Sequence, residues 1–212
     1  ISQLTEKGTA YSLDEIRAIA DVAHAHGLKL HMDGARFTNA MLSLGCSPAE
    51  ATWKAGVDAL SFGATKNGAF AAEAVIFFDP QAAKDFEFRR KRGGHLFSKM
   101  RFLSAQLAAY LENDNWLRYA GTANDAARRL TDGLTALPGV ELLHVVEGNE
   151  IFARISAPVH QALRSAGCQY YAFGEADDGS VGIRLVTAFN TTEADTDHFL
   201  KAARAGAGEA VA

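Results

Sequence analysis

The chain has little cysteine, no long apolar run and no dominant sign of charge. Its two cysteines, Cys46 and Cys168, are too far apart for a CxxC metal knuckle and too few for a disulfide framework. That usage points to a reducing compartment, the cytoplasm. No window approaches the roughly 20 apolar residues of a membrane span. The most apolar run, AAEAVIFF, is short and carries Glu73. A net charge of −4 argues against a broad nucleic-acid or membrane-surface role. The basic cluster Arg89–Arg92 runs against that average and reads as a solvated helix end. The first residue is Ile1 rather than Met, so the lack of a signal peptide carries little weight.

What is present is ordinary for a globular protein: 48 % hydrophobic and 22 % charged residues in 212, enough for one large domain or one and a half. From Ser12 to Ala25 the pattern is helical. Ser12 and Glu15 form a candidate capping box, and Leu13, Ile16, Ala20 and Ala23 recur at helical spacing. His24 and His26 fall at the helix end, with Gly27 as its stop. LKLHMD then predicts a strand with Leu28, Leu30 and Met32 on one face and Lys29, His31 and Asp33 on the other. A helix around Pro48–Ala55, a strand in DALSFGAT and a buried apolar strand at Ala74–Phe78 follow. This alternation is the signature of an α/β sheet.

Residues 81–136 read as mostly helical. After Leu137 the style changes. Short strands (Glu141–Val146, Ile151–Ile155, Gln169–Phe173, Val181–Thr187) alternate with helices at Ala157–Ala166 and Thr192–Ala205. A domain boundary is therefore expected near Leu137, between a large domain at 1–137 and a small α+β domain at 138–212. The tail AGAGEAVA is expected to be disordered.

Two short segments carry chemistry. In HAHGLKLHMDGAR the three histidines fall on different elements and lack a fourth ligand, so no metal site is expected. Asp33 ends a strand, where ligands bind in open α/β sheets; it is either a salt-bridge partner of Arg36 or a ligand group. His31 shares its face, as a core histidine or as a hydrogen-bond partner from behind. In DALSFGATKNGAF, Lys66 follows a strand end at once, flanked by Gly63, Asn67 and Gly68. A lysine there can be desolvated into a usable amine nucleophile, although Thr-Lys-Asn-Gly is also common in turns. Taken together, a lysine and a carboxylate at the ends of successive strands suit pyridoxal phosphate (PLP). That cofactor needs an amine for its aldehyde and an acid for its pyridine nitrogen. A nearby arginine can hold a substrate carboxylate.

HMDGARFTNA, DALSFGATKNGA and GIRLVTAFNTTEADTDHF, in that order, resemble the low-specificity L-threonine aldolases, and SQLTEKGTAYSLDEIRAIADVAHAHGLKLHMDGAR resembles the family's middle segment. The likeness runs from residue 2 to about residue 200. It implies the PLP-dependent transferase fold type I, with part of a large mixed-sheet domain and a small C-terminal α+β domain. It implies retro-aldol cleavage of L-threonine, L-allo-threonine or other β-hydroxy-α-amino acids to glycine and an aldehyde. Lys66 would form the Schiff base, with Thr65 beside it at the cofactor, and Asp33 would pair with the pyridine nitrogen. Arg36 and Arg184 would bind the substrate carboxylate. Arg101, with Lys99, would reach the cofactor phosphate of a neighbouring subunit in a homodimer or homotetramer.

Members of that family carry a further N-terminal segment with their own-side phosphate loop and proposed base. The resemblance therefore implies a C-terminal portion, with the preceding segment as a separate chain or cut away. Two rival readings stand beside this one. One is another fold-type-I reaction, β-elimination or racemisation. The other is a non-catalytic fragment that needs its N-terminal part.

Overall fold

A computed structural model describes residues 1–208. The chain divides into two compact units, one made of Ile1–Thr5 and Ala10–Arg118, the other of Glu6–Thr9 and Tyr119–Ala212.

In the first unit, α1 (Leu13–Ala25) starts at the expected capping box. Ser12 Oγ accepts from Glu15 N at 3.2 Å, and Glu15 Oε2 accepts from Ser12 N at 2.8 Å. Ile16 and Ala20 form its buried stripe. Strand β1 (His31–Gly34) is shorter than LKLHMD suggests. The Leu30 amide goes to the Asp58 carboxylate at 2.8 Å instead of to a strand partner, and Leu28 is exposed. β1 runs parallel to β2 (Ala59–Gly63), with Asp33 opposite Ser61. β2 pairs antiparallel with β3 (Glu73–Phe77), so the sheet is mixed, in the order β1-β2-β3. Residues 1–3 lie along the other side of β1. There Asp33 N donates to Ile1 O and Gln3 N donates to Asp33 O, both at 2.8 Å.

Two expectations fail in this unit. The helix around Pro48–Ala55 reduces to turns and a 3-10 turn at Trp53–Ala55, because Thr52 leaves helical geometry (φ −127°, ψ −105°). β3 is not buried: Val75 and Ile76 are exposed, as befits an outer strand. Helix α2 (Phe37–Leu44) buries Phe37, Ala40 and Met41 together with the polar Thr38 and Asn39. Helices α3 (Phe86–Arg92) and α4 (Arg101–Leu111) follow, and α3 carries the basic cluster exposed in its last turn.

The second unit contains most of α5 (Asn115–Thr135), then β4 (Val140–Leu142), β5 (Glu150–Ile155), α6 (Ala157–Ser165), β6 (Tyr171–Glu175), β7 (Val181–Val186) and α7 (Glu193–Gly206). Its sheet is antiparallel in the order β4-β5-β7-β6. Alternation puts Ile151, Ala153 and Ile155 of β5 and Ile183 and Leu185 of β7 on one face. They pack with Leu130 and Leu134 of α5, Val159 and Leu163 of α6 and Leu200 of α7. Fully burying one such side chain contributes about 2 kcal/mol, so this layer is the unit's main source of stability. α5 packs into that core, whereas the change of sequence style lies beyond its end, at Leu137. Of the tail expected to be disordered, Ala205 and Gly206 belong to α7, and residues 209–212 lie outside the described residues.

Candidate active site

Asp33 is carried on the exposed face of the first sheet. Met32 and Gly34 point to the buried face, so Asp33 and His31 point out. One carboxylate oxygen, Oδ1, accepts from Ala35 N at 2.9 Å and fixes the turn into α2. His31 Nε2 lies 2.8 Å from Ser61 Oγ, on the residue opposite Asp33 across the ladder. His31 is therefore neither a core histidine nor bonded to Asp33; it cross-links the two strands beneath the Asp33 turn. Gly34 permits a close approach that no side chain would: a Cβ there would sit 2.6 Å from Leu60 Cδ1 and 2.7 Å from Ser61 O. Arg36 follows as the N-cap residue of α2 and is half-buried.

Lys66 sits one strand over. β2 ends at Gly63, and Thr65–Asn67 form a single 3-10 turn with Thr65 and Lys66 exposed. Gly68 closes it at φ +107°, a backbone region that favours glycine. The turn is held on both sides. Thr65 Oγ1 accepts from Ala72 N at 3.1 Å, closing the loop onto itself. Asn67 is buried and donates from Nδ2 to Tyr110 Oη at 2.6 Å and to Trp116 O at 2.9 Å. Gln106 Oε1 accepts from Phe70 N and Ala71 N at 2.9 and 3.1 Å. Burial pushes the Tyr110 hydroxyl up, its hydrogen bonds with Thr38 and Asn67 pull it down, and the Glu73 charge adds to the rise; the net shift is upward.

Asn67, Gln106 and Tyr110 hold the turn that carries Lys66, a role that sequence reading missed. Asn67 was visible only as a turn former, and helical spacing gives no hint that Gln106 and Tyr110 reach back to a loop. Of the histidines at the end of α1, His26 is the C-cap residue, whereas His24 Nε2 lies 2.8 Å from Asp58 Oδ2. Arg101 opens α4, is exposed, and lies over the Phe102 ring at 4.9 Å.

In the second unit, Arg184 lies on the face of β7 opposite the core, between Phe152 of β5 and Tyr171 of β6. Its Nε donates to Glu150 Oε1 at 3.0 Å, and its Nη2 donates to the same oxygen. Its guanidinium lies 5.8 Å from the Phe152 ring. Glu150 was not foreseen, because at the edge of an alternating strand it reads as solvent-facing, yet it is buried.

Among the described residues, no group of three His, Cys, Asp or Glu could hold a metal ion. No described helix is long and apolar enough to cross a membrane.

The profile of one protein family, the beta-eliminating lyases, matches residues 2–158. The chain belongs to that family. Within it, the chain is 48 % identical over 194 residues to a low specificity L-threonine aldolase of Pseudomonas sp. (strain NCIMB 10558), covering 92 % of this chain and 55 % of that protein. It is also 48 % identical over 191 residues to the Pseudomonas aeruginosa protein of the same name, covering 90 % and 54 %. The chain thus spans about half the length of the curated relatives it matches. A threonine aldolase structure from Leishmania major superposes with a TM-score of 0.90 at 26 % identity, over 98 % of this chain and 60 % of that one. A PLP-bound aminotransferase-like protein of Clostridium difficile 630 gives 0.68 at 13 %, over 98 % and 57 %, which shows the shared fold alone. The fold is the expected one, that of the fold-type-I PLP enzymes.

Proposed function

We propose that the protein is a PLP-dependent aldolase that cleaves β-hydroxy-α-amino acids to glycine and an aldehyde, with residues 1–137 serving the cofactor and 138–212 the small domain. The observation that carries this reading is the 48 % identity to low specificity L-threonine aldolases over nearly the whole chain. The local chemistry fits the cofactor. Lys66 and Asp33 follow or end two parallel, hydrogen-bonded strands, and an amine and a carboxylate are what its aldehyde and pyridine nitrogen require.

When bound, PLP supplies an electron-accepting ring that stabilises negative charge at the substrate Cα. The chain's own residues have the following parts. Lys66 contributes the amine that attaches the cofactor, and Thr65 steadies its turn. The Asp33 carboxylate keeps a proton on the pyridine nitrogen. Arg36 and Arg184 are assigned to the substrate carboxylate, which fixes the Cα–Cβ bond for cleavage. The β-hydroxyl loses its proton and the aldehyde leaves, while the electron pair of the Cα–Cβ bond stays at Cα. A proton then adds at Cα to give glycine. Arg101 and Lys99 are assigned to the cofactor phosphate of a neighbouring subunit in a homodimer or homotetramer. The cytoplasm is the proposed compartment, in keeping with two free cysteines.

The test is to load the protein with PLP, add L-threonine and identify the products. Glycine and acetaldehyde in equal amounts support the reading. Ammonia and a keto acid would instead favour β-elimination, the reaction for which the family is named.

A further inference from the structure

Glu150 is a buried carboxylate that the proposed chemistry leaves without a task. It is covered from one side by Gly8, where a Cβ would stand 3.0 Å from both Glu150 Cβ and Glu150 O. An isolated carboxylate is costly in such a place, and the guanidinium of Arg184 offsets that cost. The contact is made along one edge of the guanidinium, with Nε and Nη2 converging on Oε1. An arginine has five N–H donors, and a second edge, formed by Nη1 and the outer N–H of Nη2, can take another carboxylate in parallel. Beside Arg184, on the same face of the sheet, lies an open concavity of about 300 Å³ lined by Lys7, His144, Phe152, Tyr171 and Phe173.

We propose that Glu150 is a positioning residue for Arg184 that both aims its outer edge and weakens the grip of that edge on amino-acid carboxylates. This rests on the reading of Arg184 as the substrate-carboxylate arginine. Two consequences have opposite signs. The Glu150 oxygen orients the guanidinium, which favours substrate binding. Its charge repels a second carboxylate across the same cation, which disfavours binding and speeds the release of glycine. A purely structural ion pair would have no reason to show the second effect.

The experiment is to measure the glycine Kd of the PLP-loaded protein from the change in visible absorption, with KM and kcat for L-threonine and a thermal melt, in four proteins. Glu150→Gln keeps the acceptor oxygen and removes the charge, so glycine should bind roughly tenfold tighter, the scale of losing one like-charge repulsion between groups several ångströms apart. Glu150→Asp keeps the charge but withdraws the oxygen by one methylene, so Kd and KM should rise with little change in kcat. Arg184→Lys should weaken glycine binding. If Arg184→Lys binds glycine as the wild type does, the assignment of Arg184 to the substrate fails, and this inference fails with it. If Arg184→Lys is weak but Glu150→Gln is no tighter than wild type, only the role of Glu150 is overturned. Should Glu150→Gln fail to fold, a Glu150→Asp protein with wild-type Kd and KM overturns the proposal by itself.

Discussion

Asn67 donates its side-chain amide to the Tyr110 hydroxyl at 2.6 Å, and this bond ties the residue next to Lys66 to helix α4. The amide donates and the hydroxyl accepts; the hydroxyl also lies 3.4 Å from Thr38 Oγ1, a contact in which either oxygen can donate. Both Asn67 and Tyr110 are buried, so the pair is shielded from competing water. The exposed lysine thus stands on a turn whose next residue is fixed, an arrangement suited to holding an amine at one place over the sheet edge.

Tyr110→Phe removes the acceptor while keeping the ring that packs on Phe62 at 5.9 Å. Asn67 keeps its bond to Trp116 O, so the loss should be about 1–2 kcal/mol, the cost of one buried donor left half-satisfied. For a chain of this size that lowers Tm by roughly 2–8 °C. PLP affinity should fall as well, because the Lys66 turn loses an anchor. A melt alongside a PLP titration checks both; an unchanged PLP affinity with a lowered Tm would leave Tyr110 as packing only.

Lys66→Ala should abolish the visible absorption band that PLP gives on attachment to a lysine, with no loss of folding, because the side chain is exposed. Asp33→Asn is the companion variant. An asparagine Oδ1 can still accept from Ala35 N, so the turn and fold should persist. The catalytic rate should fall by orders of magnitude, because an amide cannot hold the pyridine nitrogen protonated. Full activity in Asp33→Asn would remove the assignment of that residue.

Asp58 makes acid stability a readable quantity. Burial pushes its carboxyl up, but hydrogen bonds from His24, the Leu30 amide and Lys29, with the Lys29 charge, outweigh it and hold the group at about 2 against an ordinary 3.8. The folded value is depressed, so the contribution is fully present above the unfolded pKa near 3.8 and is lost as pH falls through about 2. Its size is about 2 kcal/mol. Denaturant unfolding at pH 6 and pH 2.5 should show Asp58→Asn less stable than wild type at pH 6, with a smaller difference at pH 2.5. An equal difference at both would mean that the contacts act without regard to charge.

The parts of the fold that could be read in the sequence are those governed by local rules. The Ser12–Glu15 capping box, the stripe of Ile16 and Ala20, and the alternation of Ile151, Ala153 and Ile155 each depend on residues a few positions apart, and each appears where the pattern puts it. One error lies where a distant group intervenes. The Asp58 carboxylate, 28 residues away, takes the Leu30 amide and shortens β1; the other miss is local, since Thr52 leaves helical geometry where a longer helix was expected. Asp33 and Lys66 stood out because each lies at a strand end near glycine, Asp33 just before Gly34 and Lys66 two residues before Gly68. Glu150 did not, because only the folded sheet brings it against Arg184, two strands and a helix later.

Gly34→Ala tests whether the turn after Asp33 tolerates any side chain. The new Cβ would lie 2.7 Å from Ser61 O and 3.0 Å from Phe37 Cβ. The Leu60 side chain, 2.6 Å away, can rotate, but Ser61 is held in β2 between β1 and β3 and cannot yield freely. Relief therefore has to come from β1 or from the start of α2, and either movement shifts the Asp33 carboxylate or Arg36. Overpacking of this kind costs about 1–3 kcal/mol. We expect a lowered Tm together with weakened PLP affinity, since the carboxylate is displaced from its strand end. Gly27→Ala gives the control for backbone strain alone, because Gly27 sits at φ +67° with open space around it. That variant should lower Tm and leave PLP affinity unchanged. If the two variants behave alike at the cofactor, the close packing beneath Asp33 has no bearing on where its carboxylate stands.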